Sequence, residues 1–286
     1  MEAKDTFFYK KTTITCKGKL VSLSNPVVMG ILNMTPDSFY EGSRIRGTDA
    51  LLRQAETMLQ EGAAILDVGG YSTRPEAPEV TPAEERTRVI PAIRALRQAF
   101  PDCLISIDTF RAGIAEAAVA AGADIINDIS GGTLDAAMFA TAGRLQVPYI
   151  LMHMRGTPQT MPRLTEYTDL MLELVQFFEP RIVQLQAAGV RDIILDPGFG
   201  FAKTIDQNFG MLRCLTDLRV LGLPVLVGLS RKSMTYKTLE VPATEALAGT
   251  IALNTIALMH GAAILRVHDV KEAVQTIKLF KKSITP

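Results

Sequence analysis

Short apolar runs alternate with amphipathic stretches along most of the chain. Each run has the length of a buried strand and ends in a polar or glycine-containing cluster, and most precede apolar positions at helical spacing, a pattern typical of parallel βα units. Eight strands are predicted, over residues 27–32, 64–68, 104–107, 125–127, 149–152, 193–195, 225–228 and 264–267. The amphipathic stretches predict helices over residues 49–60, 82–99, 112–120, 135–142, 167–188, 205–218, 244–260 and 270–281.

Local signals mark the ends of several of these helices. Thr81 is followed by Pro82 and Glu84, and this combination of a capping threonine, an early proline and a capping-box glutamate predicts a helix start. Glycine tolerates the left-handed conformation in which helices often end. Four helical patterns end at a glycine that adjoins an alanine, namely Gly62, Gly122, Gly189 and Gly261.

The number of βα units favours an α/β fold of the closed (β/α)8 type, a TIM barrel, with an open doubly wound sheet as the alternative. At 286 residues the chain has the length of one such barrel, although that length also allows two domains. Because no linker separates the units, we expect a single domain over residues 1–286. Residues 6–23 are predicted to form an N-terminal β-hairpin that covers the bottom of the barrel.

Composition and charge exclude several classes of protein. With 48% hydrophobic and 21% charged residues, the chain can bury a core and is not typical of a disordered protein. The 30 Lys and Arg residues balance the 30 Asp and Glu residues, so no overall positive field attracts nucleic acid or an anionic membrane. The most apolar segment, 251–265, is interrupted by Asn254, His260 and Gly261 and is too short to span a membrane. We expect neither nucleic acid nor a membrane as a partner.

The cysteines and the N-terminal residues bear on the cellular location. Cys16, Cys103 and Cys214 are widely spaced and form no CxxC pair, which favours a reducing compartment over a zinc site or a redox couple. The N-terminal residues lack the apolar stretch of a signal peptide. We therefore expect a cytoplasmic protein.

In a TIM barrel the functional site lies at the carboxyl ends of the strands, and there this sequence concentrates its polar residues. Asp108, Asn127 and Asp196 are expected to point into the barrel centre, where water is scarce and a carboxylate needs donors. A ligand with several N–H groups, such as an amino-pyrimidine ring, would supply them. Cationic residues at other strand ends predict a phosphate site. These residues are Arg74, Lys232, Arg266 and His268.

Other polar residues receive structural interpretations. Asp67 lies inside an apolar strand, so we expect it to be buried and bonded to neighbouring backbone, and we exclude it from the site. His153 is expected to bond at the end of its strand, and His260 to pack or cap a helix. The sequence contains no HxxxH or HExxH motif, no carboxylate cluster with metal-ligand spacing, and no P-loop.

In its ordered motifs, from about Val27 to the C-terminus, the chain resembles the dihydropteroate synthase family of folate biosynthesis. The matching segments are GILNMTPDSF at 30–39, DVGGYSTRP at 67–75, SIDT at 106–109, INDI at 126–129, HM at 153–154, DPGFGF at 196–201, SRKS at 230–233 and RVHD at 266–269. The resemblance implies a homodimeric TIM-barrel transferase that is a sulfonamide target. Such an enzyme joins p-aminobenzoate to 6-hydroxymethyl-7,8-dihydropterin diphosphate, which gives 7,8-dihydropteroate and diphosphate.

The resemblance also assigns residues to the parts of the site, with Asp108, Lys232, Arg266 and His268 as the catalytic group. Those implied to bind the pterin are Asp108, Asn127, Met154, Asp196, Phe201, Gly228 and Lys232. Those implied to face the diphosphate are Asn33, Arg74, Arg266 and His268, with Asn33 acting through Mg²⁺. Those implied to shape the p-aminobenzoate site are Phe39, Thr73, Arg74, Pro75, Phe201 and Ser233.

The implied reaction needs no protein nucleophile. The C–O bond to diphosphate breaks early and leaves a resonance-stabilised pterin cation, which the arylamine attacks at the exocyclic carbon. Cations would neutralise the leaving group while Asp108 stabilises the pterin cation. One amide oxygen is enough for Mg²⁺, because this ion keeps waters and substrate phosphates as ligands. The loops after the first two strands are expected to close over the diphosphate.

Two alternatives share the predicted barrel. A methyltransferase that passes a methyl group from methyltetrahydrofolate to a corrinoid protein would also have an acidic pterin pocket, but its substrate carries no diphosphate. The pair Arg266 and His268 therefore argues against it. A catalytically silent pterin-binding subunit is disfavoured by the presence of Asn33, Asp108 and Lys232.

Overall fold

The computed structural model describes residues 11–34, 44–72 and 79–284. Strands β1 (Thr13–Cys16) and β2 (Lys19–Ser22) pair antiparallel, which confirms the predicted N-terminal hairpin over its described part. The eight parallel strands of the main sheet are β3 (Val27–Asn33), β4 (Ile65–Gly69), β5 (Leu104–Asp108), β6 (Ile125–Asp128), β7 (Tyr149–Met152), β8 (Ile193–Asp196), β9 (Leu226–Val227) and β10 (Ile264–Val267).

The order of these strands produces a barrel. Strands β3 to β8 pair in chain order, and β10 lies between β3 and β9. A parallel bridge between Leu195 and Val225 then joins β8 to the start of the β9 segment and completes the ring. The predicted (β/α)8 barrel is therefore confirmed, and the open doubly wound sheet is excluded.

Helices surround the barrel. Among the described residues the α-helices are α1 (Arg44–Glu61), α2 (Pro82–Ala99), α3 (Ala112–Ala121), α4 (Met138–Leu145), α5 (Leu170–Ala187), α6 (Ile205–Arg213), α7 (Ser233–Tyr236), α8 (Leu247–Met259) and α9 (Val270–Ile284). Short 3₁₀ helices span Met161–Arg163, Leu215–Leu221 and Ala243–Glu245. Within the same residues no helix combines the length and apolar character that a membrane crossing requires.

Most predicted helices differ from the structure by a few residues at their ends; those predicted over 49–60 and 135–142, for example, are Arg44–Glu61 and Met138–Leu145. Two further differences have a local cause. The helix predicted over 205–218 ends at Arg213, and a 3₁₀ helix follows, because the spacing of three between buried Leu215 and Leu218 places both on one face of a 3₁₀ turn. The strand predicted over 225–228 is reduced to Leu226 and Val227, since Pro224 lacks an N–H group and Gly228 adds no side chain to the sheet. The short helix α7 was not predicted.

Alternation along the strands determines what fills the barrel. The lower inward positions carry apolar side chains that pack against Ile14 and Cys16 of the hairpin: Met29, Ile65, Ile125, Ile150, Ile194, Leu226 and Ile264. Side chains two positions further along a strand point to the same face. On four strands that next position is polar, namely Asp67, Asn127, Asp196 and Arg266. The hairpin therefore covers the bottom, and the polar residues lie at the mouth.

Candidate active site

A guanidinium group bridges two carboxylates at the barrel mouth. Arg266 on β10 donates from Nε to Asp67 Oδ2 at 2.6 Å and from Nη2 to Asp108 Oδ2 at 2.7 Å. Asn127 Nδ2 donates to the same Asp67 oxygen at 3.0 Å. Strands β4, β5 and β6 are neighbours, with Asp67 opposite Ser106 and Asp108 opposite Asn127, so these side chains meet on one wall. The structure thus brings together the predicted residues Asp108, Asn127 and Arg266.

Asp67 belongs to this network: its predicted burial is confirmed, whereas the predicted bonds to neighbouring backbone were wrong. Its side chain is fully buried, and its hydrogen-bond donors are the Arg266 and Asn127 side chains rather than neighbouring backbone. Because β4 is paired on both sides, its neighbours' backbone N–H groups are engaged in the sheet, and an inward carboxylate must find side-chain donors. The available signal was the inward position that Asp67 shares with Ile65.

Several acceptors near this network lack donors. Among the described residues, Asp67 Oδ1, Asn127 Oδ1 and Ser106 Oγ are buried without a hydrogen-bond partner. An unsatisfied buried polar group costs about 1–3 kcal/mol. A ligand edge with several N–H groups would relieve that cost for any of these atoms that it reaches.

Burial shifts the titration of the carboxylates in the site. It raises the pKa of Asp108 to about 7, an effect that Arg266 opposes and that the nearby Asp67 and Glu85 charges reinforce. Burial also raises the pKa of Asp196, against the influence of Lys232. Asp196 Oδ1 accepts a hydrogen bond from Gly198 N at 2.8 Å, which orients its carboxylate. Both groups can therefore bind a hydrogen-bond donor of the ligand in a region of low dielectric.

Lys232 lies against the segment after β8. Its Nζ donates to the Phe199 carbonyl and lies 4.8 Å from the centre of the Phe201 ring. Burial lowers the pKa of Lys232 to about 8, Arg266 acts in the same direction, and Asp196 opposes both. A Cβ atom at Gly228 would lie 3.9 Å from Lys232 Nζ, so the glycine leaves the space beside this nitrogen open.

His268 is held as a neutral hydrogen-bond donor. Its backbone N donates to Ser230 Oγ at 3.2 Å, and the same oxygen lies 3.0 Å from His268 Nδ1. The neutral ring carries one N–H group, on Nδ1 or on Nε2 according to the tautomer. Burial and the Arg266 charge lower the pKa of His268 to about 4. The imidazole therefore offers an N–H group without a positive charge at neutral pH.

An apolar wall completes the mouth. Met154 and Phe201 are 2% and 8% exposed, and they pack with Met152, Met161 and Ile129 in one cluster. Ser233 begins α7 directly after Lys232 and is half-buried. A flat ring between these apolar side chains and the polar network would present its edge to the carboxylates.

Asn33 and four other predicted residues bear on the outer part of the site. Asn33 ends β3 beside Gly69 and is exposed. The predicted residues Phe39, Thr73, Arg74 and Pro75 lie outside the described residues, as do most of the two loops expected to close. Over the described ranges, no cluster of three or more His, Cys, Asp or Glu residues could hold a metal ion.

A buried group that was not predicted supports the segment after Asp108. Glu85 on α2 is fully buried and accepts from Thr109 Oγ1 at 2.6 Å and from Arg111 Nη1 at 2.5 Å. Arg111 Nη2 also donates to Val80 O at 2.7 Å. These bonds tie the loop after β5 to the end of the loop after β4. In the sequence, Glu85 is the second of two adjacent glutamates in a predicted helix, and no motif distinguishes it.

The two histidines outside the site have the structural roles expected of them. His153 follows β7, is 2% exposed and accepts at Nδ1 from Lys203 at 2.9 Å. His260 caps the C-terminus of α8, and its Nδ1 lies 3.2 Å from Thr216 Oγ1. Lys203, which is buried beside His153, was not predicted.

The chain is similar to known proteins over the segment that carries these residues. The family model described as pterin binding enzyme matches residues 29–268, which contain every described residue of the site. The dihydropteroate synthase of Synechocystis sp. is 50% identical over 255 residues, which cover 88% of this chain and 88% of that protein.

Solved structures agree in fold over almost the full length. A Yersinia pestis dihydropteroate synthase solved with a sulfonamide drug has a TM-score of 0.88 and 42% identity, covering 95% of this chain and 98% of that chain. A Xanthomonas albilineans dihydropteroate synthase solved with 4-aminobenzoic acid has a TM-score of 0.88 and 37% identity, covering 97% of this chain and 100% of that chain. Both similarities extend over the strands that carry the site.

Proposed function

The chain belongs to the pterin-binding enzyme family and, within it, to the dihydropteroate synthases, and from that premise we propose how its residues act. The reaction transfers the pterin-methyl group of 6-hydroxymethyl-7,8-dihydropterin diphosphate to p-aminobenzoate. Its products are 7,8-dihydropteroate and diphosphate. The observation that carries the proposal is the network of Arg266, Asp67, Asp108 and Asn127 at the mouth.

The pterin lies in the slot between the polar network and the apolar wall. Its N–H groups donate to Asp108, Asn127 and Asp196, while Lys232 donates to a ring acceptor. Met154 and Phe201 pack against the ring faces, and Gly228 leaves room beside them. This placement is supported by the buried acceptor Asn127 Oδ1 and by the low exposure of both apolar side chains.

The diphosphate lies at the outer end of the slot. Arg266 and His268 face it, together with Arg74 from the loop after β4. His268 donates from the ring nitrogen that faces the diphosphate, and the Ser230 contact at Nδ1 fixes the orientation of its ring. As the C–O bond breaks, these donors stabilise the charge that develops on the leaving group.

A Mg²⁺ ion is part of the proposal, and the residues present fit it. The exposed Asn33 amide offers one oxygen ligand, and this hard cation readily takes its other ligands from waters and substrate phosphates. When bound, Mg²⁺ would neutralise charge on the diphosphate.

The second substrate binds beyond the exocyclic carbon of the pterin. Phe39, Thr73, Arg74, Pro75, Phe201 and Ser233 shape the p-aminobenzoate site in this proposal. Its aniline nitrogen is already a nucleophile, so these residues orient it rather than remove a proton. Asp108, beneath the ring, stabilises the pterin cation until the arylamine attacks.

Turnover by the purified protein tests this function. With dihydropterin diphosphate, p-aminobenzoate and Mg²⁺, we expect dihydropteroate and diphosphate in equal amounts. Removal of Mg²⁺ with a chelator should lower the rate at least about tenfold, because leaving-group stabilisation by a metal contributes several kcal/mol. A protein that released no diphosphate but transferred a methyl group from methyltetrahydrofolate would instead support the methyltransferase alternative.

The chain also acts as a homodimer in this proposal. Four apolar side chains on the adjacent helices α8 and α9 are exposed: Ile256 at 38%, Met259 at 67%, Leu279 at 73% and Ile284 at 62%. A second copy would remove this surface from water, and exposed apolar surface of this kind is typical of protein interfaces.

A cytoplasmic location is supported by the three free thiols, since a reducing compartment keeps such cysteines unpaired.

A charge placed on this surface should separate the subunits. Met259→Glu is expected to convert the dimer to a monomer in sedimentation equilibrium, because the carboxylate would be buried without a partner. Leu172→Glu is the matched control, since Leu172 is 52% exposed on α5, away from α8 and α9. A dimer that persists in Met259→Glu would place the interface elsewhere.

A further inference from the structure

Lys203 is a buried lysine behind the pterin slot. It is 8% exposed, and its Nζ contacts Gly198 O at 3.1 Å, Phe201 O at 3.1 Å and His153 Nδ1 at 2.9 Å. The salt bridges among the described residues do not include Lys203. Burial lowers the pKa of Lys203 to about 7, an effect that the Asp196 charge opposes, and the three bonds hold its Nζ in one position.

The bonds of Lys203 shape the segment from Asp196 to Ala202. Three residues of this segment adopt positive φ, namely Gly198 at 73°, Gly200 at 78° and Ala202 at 49°. At Ala202 this conformation is strained, because the Cβ atom comes close to the following carbonyl oxygen. The carbonyls of Gly198 and Phe201 turn to Lys203, whereas the Phe199 carbonyl turns to Lys232 in the site. The segment is therefore held between the side-chain nitrogens of two lysines, Lys203 and Lys232.

His153 links Lys203 to the barrel. Its backbone N donates to Asp196 O at 3.0 Å, and its ring packs edge-on against Phe177 with 4.8 Å between centroids. Burial, and next the Lys203 charge, lower the pKa of His153 to about 2, so the ring is neutral and its Nδ1 accepts from the ammonium. Lys203 thus joins the end of β7 to the segment that carries Asp196 and Phe201.

We propose that Lys203 is a positioning residue for the pterin substrate, acting through the Asp196–Phe201 segment from outside the slot. It holds the Gly198 and Phe201 carbonyls away from the slot, so that the Asp196 carboxylate, the Phe201 ring and the Phe199 carbonyl that orients Lys232 face the heterocycle. The proposal rests on the pterin site described above. It assigns Lys203 no contact with substrate and no part in the diphosphate end.

The test compares two ligand fragments on the full chain. Binding of 6-hydroxymethylpterin and of inorganic pyrophosphate with Mg²⁺ is measured by calorimetry for wild type, Lys203→Met and Lys19→Met. We expect Lys203→Met to weaken pterin binding at least about tenfold and pyrophosphate binding less than about twofold, because only the pterin end depends on the segment. Lys19→Met removes an exposed lysine from β2 at the closed end of the barrel and should change neither.

A milder variant covers the case in which Lys203→Met does not fold. Tyr167 Oη donates to Ala202 O at 2.9 Å, so Tyr167→Phe loosens the same segment without altering a charge. It should weaken pterin binding about threefold and leave pyrophosphate binding unchanged. Equal loss of both ligands, or unchanged pterin binding in the folded variants, would overturn the proposal. A wild-type protein that makes no dihydropteroate would instead refute the proposed function.

Discussion

Asp108→Asn is expected to lower kcat about 100-fold, with much smaller changes in the KM of either substrate, because it removes the negative charge opposite the developing pterin cation. Asparagine keeps the shape of the side chain and an oxygen that can accept from Arg266 Nη2, which now lies 2.7 Å from Asp108 Oδ2. The loss should therefore appear in the transition state rather than in ground-state binding. Steady-state kinetics with each substrate varied in turn measures it.

The pH profile separates the charge from the shape of this residue. Because burial raises the pKa of Asp108 to about 7, its carboxylate gains a proton as the pH falls through that value. The active form is the ionised one, so wild-type kcat should decrease on the acid side of neutrality, and Asp108→Asn should lack that limb. Asp102→Asn, at an exposed position before β5, is the control. An effect of Asp108→Asn on KM alone would remove Asp108 from cation stabilisation.

The sequence predicted the fold wherever local signals agreed with tertiary packing. Helix α2 begins and ends at the predicted residues, because Thr81 and Glu84 form the expected reciprocal bonds at its start. The glycines at helix ends behave likewise, and Gly122 caps α3 with φ of 118°. Strand β9 was harder to bound, since its length depends on how β8 and β10 pair with it rather than on its own residues.

Within the site, the position of a residue on the inward face of its strand predicted its location better than its residue type did. Asp108 and Asp196 end their strands, Asn127 lies one residue before the end of β6, and all three lie at the barrel mouth as predicted. Asp67 lies two residues before the end of β4, where an isolated carboxylate suggests a structural role until its partner on β10 is known. Arg266 is 199 positions away along the chain, and only closure of the barrel brings the two together.

The sequence contains no motif that predicts the residues acting through another side chain. Lys203 contacts His153 across 50 positions, and Ser230 contacts His268 across 38. Each resembles an ordinary loop residue in the sequence, because its importance depends on burial and on one distant partner. Motif resemblance included Ser230 within a matching segment but gave it no role.

Arg266→Met is expected to reduce both activity and stability, since this side chain serves two functions. The rate constant kcat/KM should decrease about 1000-fold, because the leaving group loses a principal cation and Asp108 its partner. The free energy of unfolding should decrease by about 3 kcal/mol, because Asp67 is left as a buried, uncompensated charge. Product formation and urea unfolding monitored by circular dichroism measure the two effects.

A second substitution separates these effects. In the double variant Asp67→Asn with Arg266→Met, the fully buried Asp67 charge is removed and only Asp108 still lacks its partner, so part of the lost stability should return while the rate stays low. Recovery of stability without recovery of turnover would show that Arg266 acts on the substrate as well as on the fold. If turnover returned together with stability, the activity lost in Arg266→Met would be a consequence of a disordered mouth, and the proposed contact between Arg266 and the diphosphate would be wrong.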